Sequence, residues 1–288
     1  MKTRNIILSV AAGLGALLAV SCNNKDNSAN PEAPATQEWA QLIKFSEPVQ
    51  IGDYAFQSVE LTESSRYIAE YVTSKASAGA KILYGKYTYA NGTFTLDGMG
   101  SLKIDGNQVT INPSSAGGSP VQVPATITPP SAKDQTAVNA CRNWSISKFI
   151  IGISGKTKDG NTVEGDKMFN KLDLKEFADF AKRIGLEISD EDLEKISKYN
   201  VKEICMTSAG SFVVEFASVD PFYGTFSLNG SNSTFTLSPD DFPILSGGKI
   251  TGTLSFSGST CILEAAASLV YNEVTYSATL NVSLTEVK

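Results

Sequence analysis

From about Leu61 onward, apolar and polar side chains take turns along the chain at a spacing of two. Tyr67, Ala69 and Tyr71 alternate with Arg66, Ile68 and Glu70, the period that sends one set to each face of a β-strand. The runs are short and are separated by turn signals. Asp105-Gly106 stands between Leu102-Lys103-Ile104 and Val109-Thr110-Ile111, and Asn91-Gly92 and Asn229-Gly230 interrupt similar runs. Such dipeptides close antiparallel hairpins because both residues tolerate positive φ. One stretch has a helical spacing instead. Asp173 with Glu176 forms a capping-box pattern ahead of Leu174, Phe177, Ala178 and Ala181, with Gly185 as the stop. Ser189 with Asp192 opens a second short helix carrying Leu193 and Ile196. The expectation is a mainly β protein of antiparallel meanders with a short helical insertion near 165–200, covering the open end of a β unit.

The pattern also repeats. Leu61-Thr62-Glu63-Ser64-Ser65-Arg66-Tyr67-Ile68-Ala69-Glu70-Tyr71 runs against Met206-Thr207-Ser208-Ala209-Gly210-Ser211-Phe212-Val213-Val214-Glu215-Phe216, aromatic on aromatic and aliphatic on aliphatic. Gly85-Lys86-Tyr87 follows as Gly224-Thr225-Phe226, Thr93–Leu96 as Thr234–Leu237, and Ala125–Thr128 as Ala278–Asn281. The two tryptophans, Trp39 and Trp144, stand upstream in each half. Matches in one order predict a duplication: a first β unit over 39–130 and a second over 139–288, the helical segment belonging to the second alone. Pro129-Pro130 and the polar residues after it mark the junction.

Ahead of both units, Ile6 to Val20 runs without a charge after the basic Met1–Asn5. Fifteen residues fall short of the roughly 20 that span a bilayer and describe a secretory signal over 1–21. The run ends in Leu18-Ala19-Val20-Ser21-Cys22, which resembles the lipobox of bacterial lipoproteins, with Ala19 where leucine is most usual. The resemblance implies that Cys22 is acylated and becomes the new N-terminus. Several acyl chains, each buried methylene stabilising by about 0.8 kcal/mol, make such an anchor effectively permanent. Residues 22–38 are Asn, Ser, Ala, Pro and Glu with almost nothing to bury and read as a flexible tether. By likeness to enteric sorting rules, the absence of aspartate after Cys22 points to the outer membrane, on its periplasmic or surface face.

A tryptophan on the first strand, a Thr-x-x-Gly-x-Phe/Tyr hairpin and a Gly-x-Tyr/Phe opening the next strand resemble the lipocalin-like domains of Bacteroidota lipoproteins. The resemblance covers nearly all of 39–288, twice over, with Ser65 in the first unit where Gly210 stands in the second. It implies two tandem lipocalin-like meanders, each a barrel or half-barrel, and little about activity.

Composition narrows the chemistry. The 24 basic side chains are outnumbered by 30 acidic ones for a net charge of −6, and losing Lys2 and Arg4 with the signal makes the balance more acidic. Such a surface repels phosphate backbones and excludes nucleic acid as a partner. There is no histidine, which removes Ser-His-Asp and Cys-His catalysis and histidine-ligated metals. Cys141, Cys205 and Cys261 are widely spaced; they form no metal motif and are either one disulfide with one thiol or three buried thiols. Gly155-Lys156-Thr157 lacks the upstream glycine of a phosphate loop, Asp159-Gly160-Asn161 fails as a calcium loop at Val163, and Ser145-Ile146-Ser147-Lys148 reads as a strand. Glu70 and Glu215 sit at equivalent positions and read as solvent-face residues, and Asp240-Asp241 reads as a turn.

What remains is an aromatic set, Tyr67, Tyr71, Tyr87, Phe212, Phe216 and Phe226, on one face of each meander. It either fills the interior or lines a pocket, since an eight-stranded barrel is just wide enough for either. The expectation is a non-enzymatic envelope lipoprotein with no cofactor or metal, attached to the membrane through its lipid and binding a small apolar or amphipathic ligand. The alternative is a surface module with solid cores whose loops hold a glycan or a host protein. A carboxylate-based enzyme is the third class. Cells fed an alkyne fatty acid should label the wild-type protein, and Cys22→Ser should abolish the label and release the protein from membranes. A label that survives the substitution contradicts the lipobox reading.

Overall fold

The computed structural model describes residues 40–73, 81–114, 118–129, 139–170, 174–186, 189, 190, 194, 201–229, 232–238, 249–271 and 274–287. Cys22, the signal segment, the tether and Trp39 lie outside them. The chain divides into two units, one holding residues 26–133 together with 207–209 and the other 134–206 and 210–288.

The first unit is an up-and-down meander of β1 (Gln41–Ile51), β2 (Tyr54–Leu61), β3 (Arg66–Thr73), β4 (Lys81–Ala90), β5 (Thr93–Leu96), β6 (Gly100–Asp105), β7 (Gln108–Pro113) and β8 (Val121–Thr128). Each strand pairs with the next, and β8 returns to β1 through Ile43↔Ile127 and Phe45↔Ala125, closing an eight-stranded barrel. The period of two does the sorting: Ile43, Val59, Leu61, Tyr67, Ala69, Leu102, Val109 and Ile111 form one buried cluster inside it. A fully buried aliphatic or aromatic side chain stabilises by about 1.5–3 kcal/mol, so this inward row holds the ring together.

The second unit begins with β9 (Asn143–Lys156) and β10 (Thr162–Phe169). After the helix α1 (Leu174–Arg183) come β11 (Val201–Met206), β12 (Ser211–Phe216), β13 (Phe222–Asn229), β14 (Asn232–Ser238), β15 (Lys249–Ser257), β16 (Thr260–Tyr271) and β17 (Val274–Glu286). The sheet curls until β17 pairs with β9 from Ser277↔Ser154 to Glu286↔Trp144. On its other edge β9 serves two partners, β11 at Asn143 and Trp144 and β10 from Phe149 to Lys156. The pairing therefore runs round through β9 and β11 to β17 in the strand order of the first barrel, with β10 and α1 as the extra pieces. The insertion begins one strand earlier than its helical spacing suggests, because β10 alternates as Val163 and Phe169 in, Glu164, Asp166 and Met168 out. Of the second helix, too little lies among the described residues to place it.

Register establishes which residues of the two rings correspond. Thr62 and Thr207 each open a loop ending at Arg66 or Ser211, and the first residues beyond pair as Tyr67↔Gly85 and Phe212↔Gly224. Thr62 is threonine for a local reason: its Oγ1 accepts the Arg66 N–H at 3.0 Å. In both loops the residue before the turn ends has positive φ, 59° at Ser65 and 88° at Gly210. Its carbonyl then accepts the next strand over, from Tyr87 N at 3.1 Å and from Phe226 N at 2.8 Å. Two other sequence matches shift. Tyr87 faces Leu96 whereas Phe226 faces Phe235, so Leu96 corresponds to Phe235 rather than Leu237. Ala125 N and Glu286 N bind the equivalent turn carbonyls of Asn107 and Ser259, both at 2.9 Å, so Ala125 corresponds to Glu286 rather than Ala278. Both slips are of even length, and an even slip keeps every side chain on its face. Trp144 lies between Ile204 and Glu286; the matching residues Val59 and Ala125 put its counterpart at Ile43 to Phe45, not at Trp39.

The shared αL position supplies a test. Gly210→Ala places a Cβ at positive φ and 3.2 Å from the Phe226 carbonyl oxygen, and should lower stability by about 1–3 kcal/mol in urea denaturation. Ser65→Gly relieves the same geometry, against the glycine's own entropy, and should raise stability by at most about 1 kcal/mol. A silent Gly210→Ala would show that the two loops do not share this conformation.

Candidate functional site

Five of the six aromatics singled out by pattern are buried inside the rings. Tyr67 is 0 % exposed and lies against Gly85 of the neighbouring strand, where a Cβ would sit 2.9 Å from its ring. Its hydroxyl donates to the Asp97 carbonyl. Tyr87 packs edge-on to Phe94 with ring centroids 5.8 Å apart and donates to the Thr62 carbonyl at 2.9 Å. Burial pushes both phenols up to about 12, with the negative charge of Asp97 adding for Tyr67 and that of Glu63 for Tyr87. Such phenols are neutral donors holding turns in place. Phe212, Phe216 and Phe226 are buried in the second ring.

Tyr71 is different. It is only partly buried, at the end of the first barrel where the β1–β2 turn lies. A bulge at Gln57, between Phe56↔Tyr71 and Ser58↔Glu70, brings Tyr54 and Phe56 onto the same face as Tyr71. Tyr54 meets Tyr71 edge-on at 4.7 Å and 83°, Phe56 lies 5.7 Å from Tyr71, and Ile51 pairs with Tyr54 on the next strand. Tyr54 is 45 % exposed. Below this corner the barrel is filled by Val59, Tyr67 and Ala69. Tyr54 and Phe56 went unnoticed in the sequence because the bulge breaks the alternation that would have linked them to Tyr71. The turn signal Gly52-Asp53 just before them is the one cue that the strand ends at a rim.

In the second ring the inner face of β9 and β10 is covered by α1. Phe169 stacks on Phe149 at 5.0 Å and 15°, and Phe177 and Phe180 of the helix pack on Phe169 at 6.3 and 6.2 Å. Gly165 makes room, since a Cβ there would lie 2.5 Å from Ile184. The helix stops as its sequence indicates: Gly185 has φ 86°, Leu186 N reaches the Ala181 carbonyl at 2.8 Å, and Gly185 N reaches that of Lys182 at 3.1 Å, the paired bonds of a Schellman end.

The remaining candidates are separate. Cys141, Cys205 and Cys261 are buried and form no disulfide, and burial pushes Cys261 up to about 12, far from the thiolate needed for attack or ligation. Glu70 accepts from Ser58 at 3.4 Å and Glu215 from Lys202 at 2.7 Å, each on the strand pair of its own unit. Ser147 lies on β9 and donates to the Ser283 carbonyl. Thr157 and Asn161 close the turn that holds Asp159 and Gly160. Asp240 and Asp241 lie outside the described residues. Among the described residues no three Cys, Asp or Glu side chains are grouped to hold a metal ion.

No family model matches the chain, and no curated protein matches it. Among solved structures, it is similar at a low level to a mutant of transferrin-binding protein B from Haemophilus parasuis. That match has 9 % identity and a TM-score of 0.24 over 81 % of this chain and 55 % of the other; the chain thus spans about half the length of that protein. A DUF3598-family protein of unknown function from Nostoc punctiforme is similar at 11 % identity and a TM-score of 0.16, over 86 % of this chain and 94 % of the other. Likeness at this level names no family and transfers no activity. The lipocalin-like resemblance accordingly rests on the sequence motifs alone.

One carboxyl stands out beside the ring. Burial raises the pKa of Glu63, in the β2–β3 loop, above its ordinary 4.5, and its Oε1 has no hydrogen-bond partner. A folded pKa above the unfolded one means that the folded state binds the proton more tightly. This contribution to stability is therefore full below about 4.5, declines as pH rises towards the folded value, and is gone above it. Glu63→Gln should be more stable than wild type at pH 7 in thermal denaturation, with the difference closing at pH 4. Equal stability of the two proteins at pH 7 contradicts the burial of a charged Glu63.

Proposed function

We propose that this chain is a non-enzymatic lipoprotein of the outer membrane, anchored through Cys22, that binds a small amphipathic molecule at the mouth of its first barrel. The observation that carries the reading is the aromatic corner of Tyr54, Phe56 and Tyr71, which has one wall in solvent. Tyrosines at such a place offer an apolar ring and a polar tip together, which suits a ligand that is itself apolar at one end. The filled interior beneath the corner favours a ligand that seats at the rim over one swallowed whole. The non-enzymatic reading is supported by the missing histidine, by the burial that keeps the Cys261 thiol protonated and by carboxylates held singly by Ser58 and Lys202. Burial of five of the six candidate aromatics also supports a second reading, a surface module with solid cores whose loops contact a glycan or a protein.

Fluorescence titration with anilinonaphthalene sulfonate, an amphipathic probe, tests the site. Losing the apolar contact of one partly buried ring is worth about 1.5 kcal/mol or more, roughly a tenfold change in affinity. Tyr54→Ala should therefore weaken probe binding about tenfold and leave the melting temperature nearly unchanged, while Ile262→Ala, an exposed apolar residue of the second unit, should change neither. Equal binding by wild type and Tyr54→Ala would remove the mouth as the ligand site and leave the surface-module reading.

A further inference from the structure

We draw no further inference here: the strongest candidate, the outer edge of β10 with its exposed Glu164, Asp166 and Met168, is a sheet edge for which nothing in the structure shows what covers it.

Discussion

Both units depend on the return of the last strand to the first. An open antiparallel sheet exposes two rows of unpaired N–H and C=O groups, and closure is the only arrangement that removes them altogether. In the first unit β8 reaches β1 over Leu42 to Phe45. In the second, β17 runs along β9 from Trp144 to Ser154. There the closing strand is also tied at its end: Val287 N donates to the Asn143 carbonyl at 2.9 Å, and Arg142 meets the Glu286 carboxylate at 2.7 Å. The second seam contains a bulge at Ser147 in β9, and in the first unit β1 breaks register with its other neighbour, β2, between Lys44 and Val49. An extra residue bends the strand and tightens its twist, as a first strand with a neighbour on each side must.

Closure concentrates the aromatic residues inside, and glycine makes room for them. Gly85 lies under Tyr67 and Gly155 under Tyr276, with a Cβ at either place coming within 3 Å of the ring. The rings so accommodated belong to the buried clusters of the two units. In the second unit α1 extends the packing over β9 and β10, through Phe177 and Phe180. In the first unit the packing ends at Tyr54 and Tyr71, with the rim in water.

Much of the fold was legible in the sequence, because strand period, two-residue turns and the Thr62/Thr207 loop are all local signals. The Gly185 helix stop was legible for the same reason. Local matching could identify faces but not register. Leu96 was paired with Leu237 and Ala125 with Ala278, and each error has even length, so the inside–outside pattern stayed correct while the correspondence slipped. Strand β10 was missed because Gly165 and the charges at Glu164, Asp166 and Lys167 look like a loop when its partner β9 is unknown. The candidate site was half legible. Tyr71 was found by its period, whereas Tyr54 and Phe56 come to its face only through the bulge at Gln57. That bulge arises from pairing between strands and has no signature in one strand alone.

Both meanders close into rings, and native-state hydrogen exchange reports on that closure. Amides protected by a seam exchange only when the ring opens. Seam amides at Leu42, Lys44 and Thr126 in the first unit, and at Ile150, Gly152, Thr279 and Asn281 in the second, belong to the pairs that alternation turns towards the closing partner and should therefore exchange as slowly as those of the β2–β3 and β11–β12 hairpins. Seam amides exchanging near the free-chain rate while the hairpins stay protected would make both units open sheets.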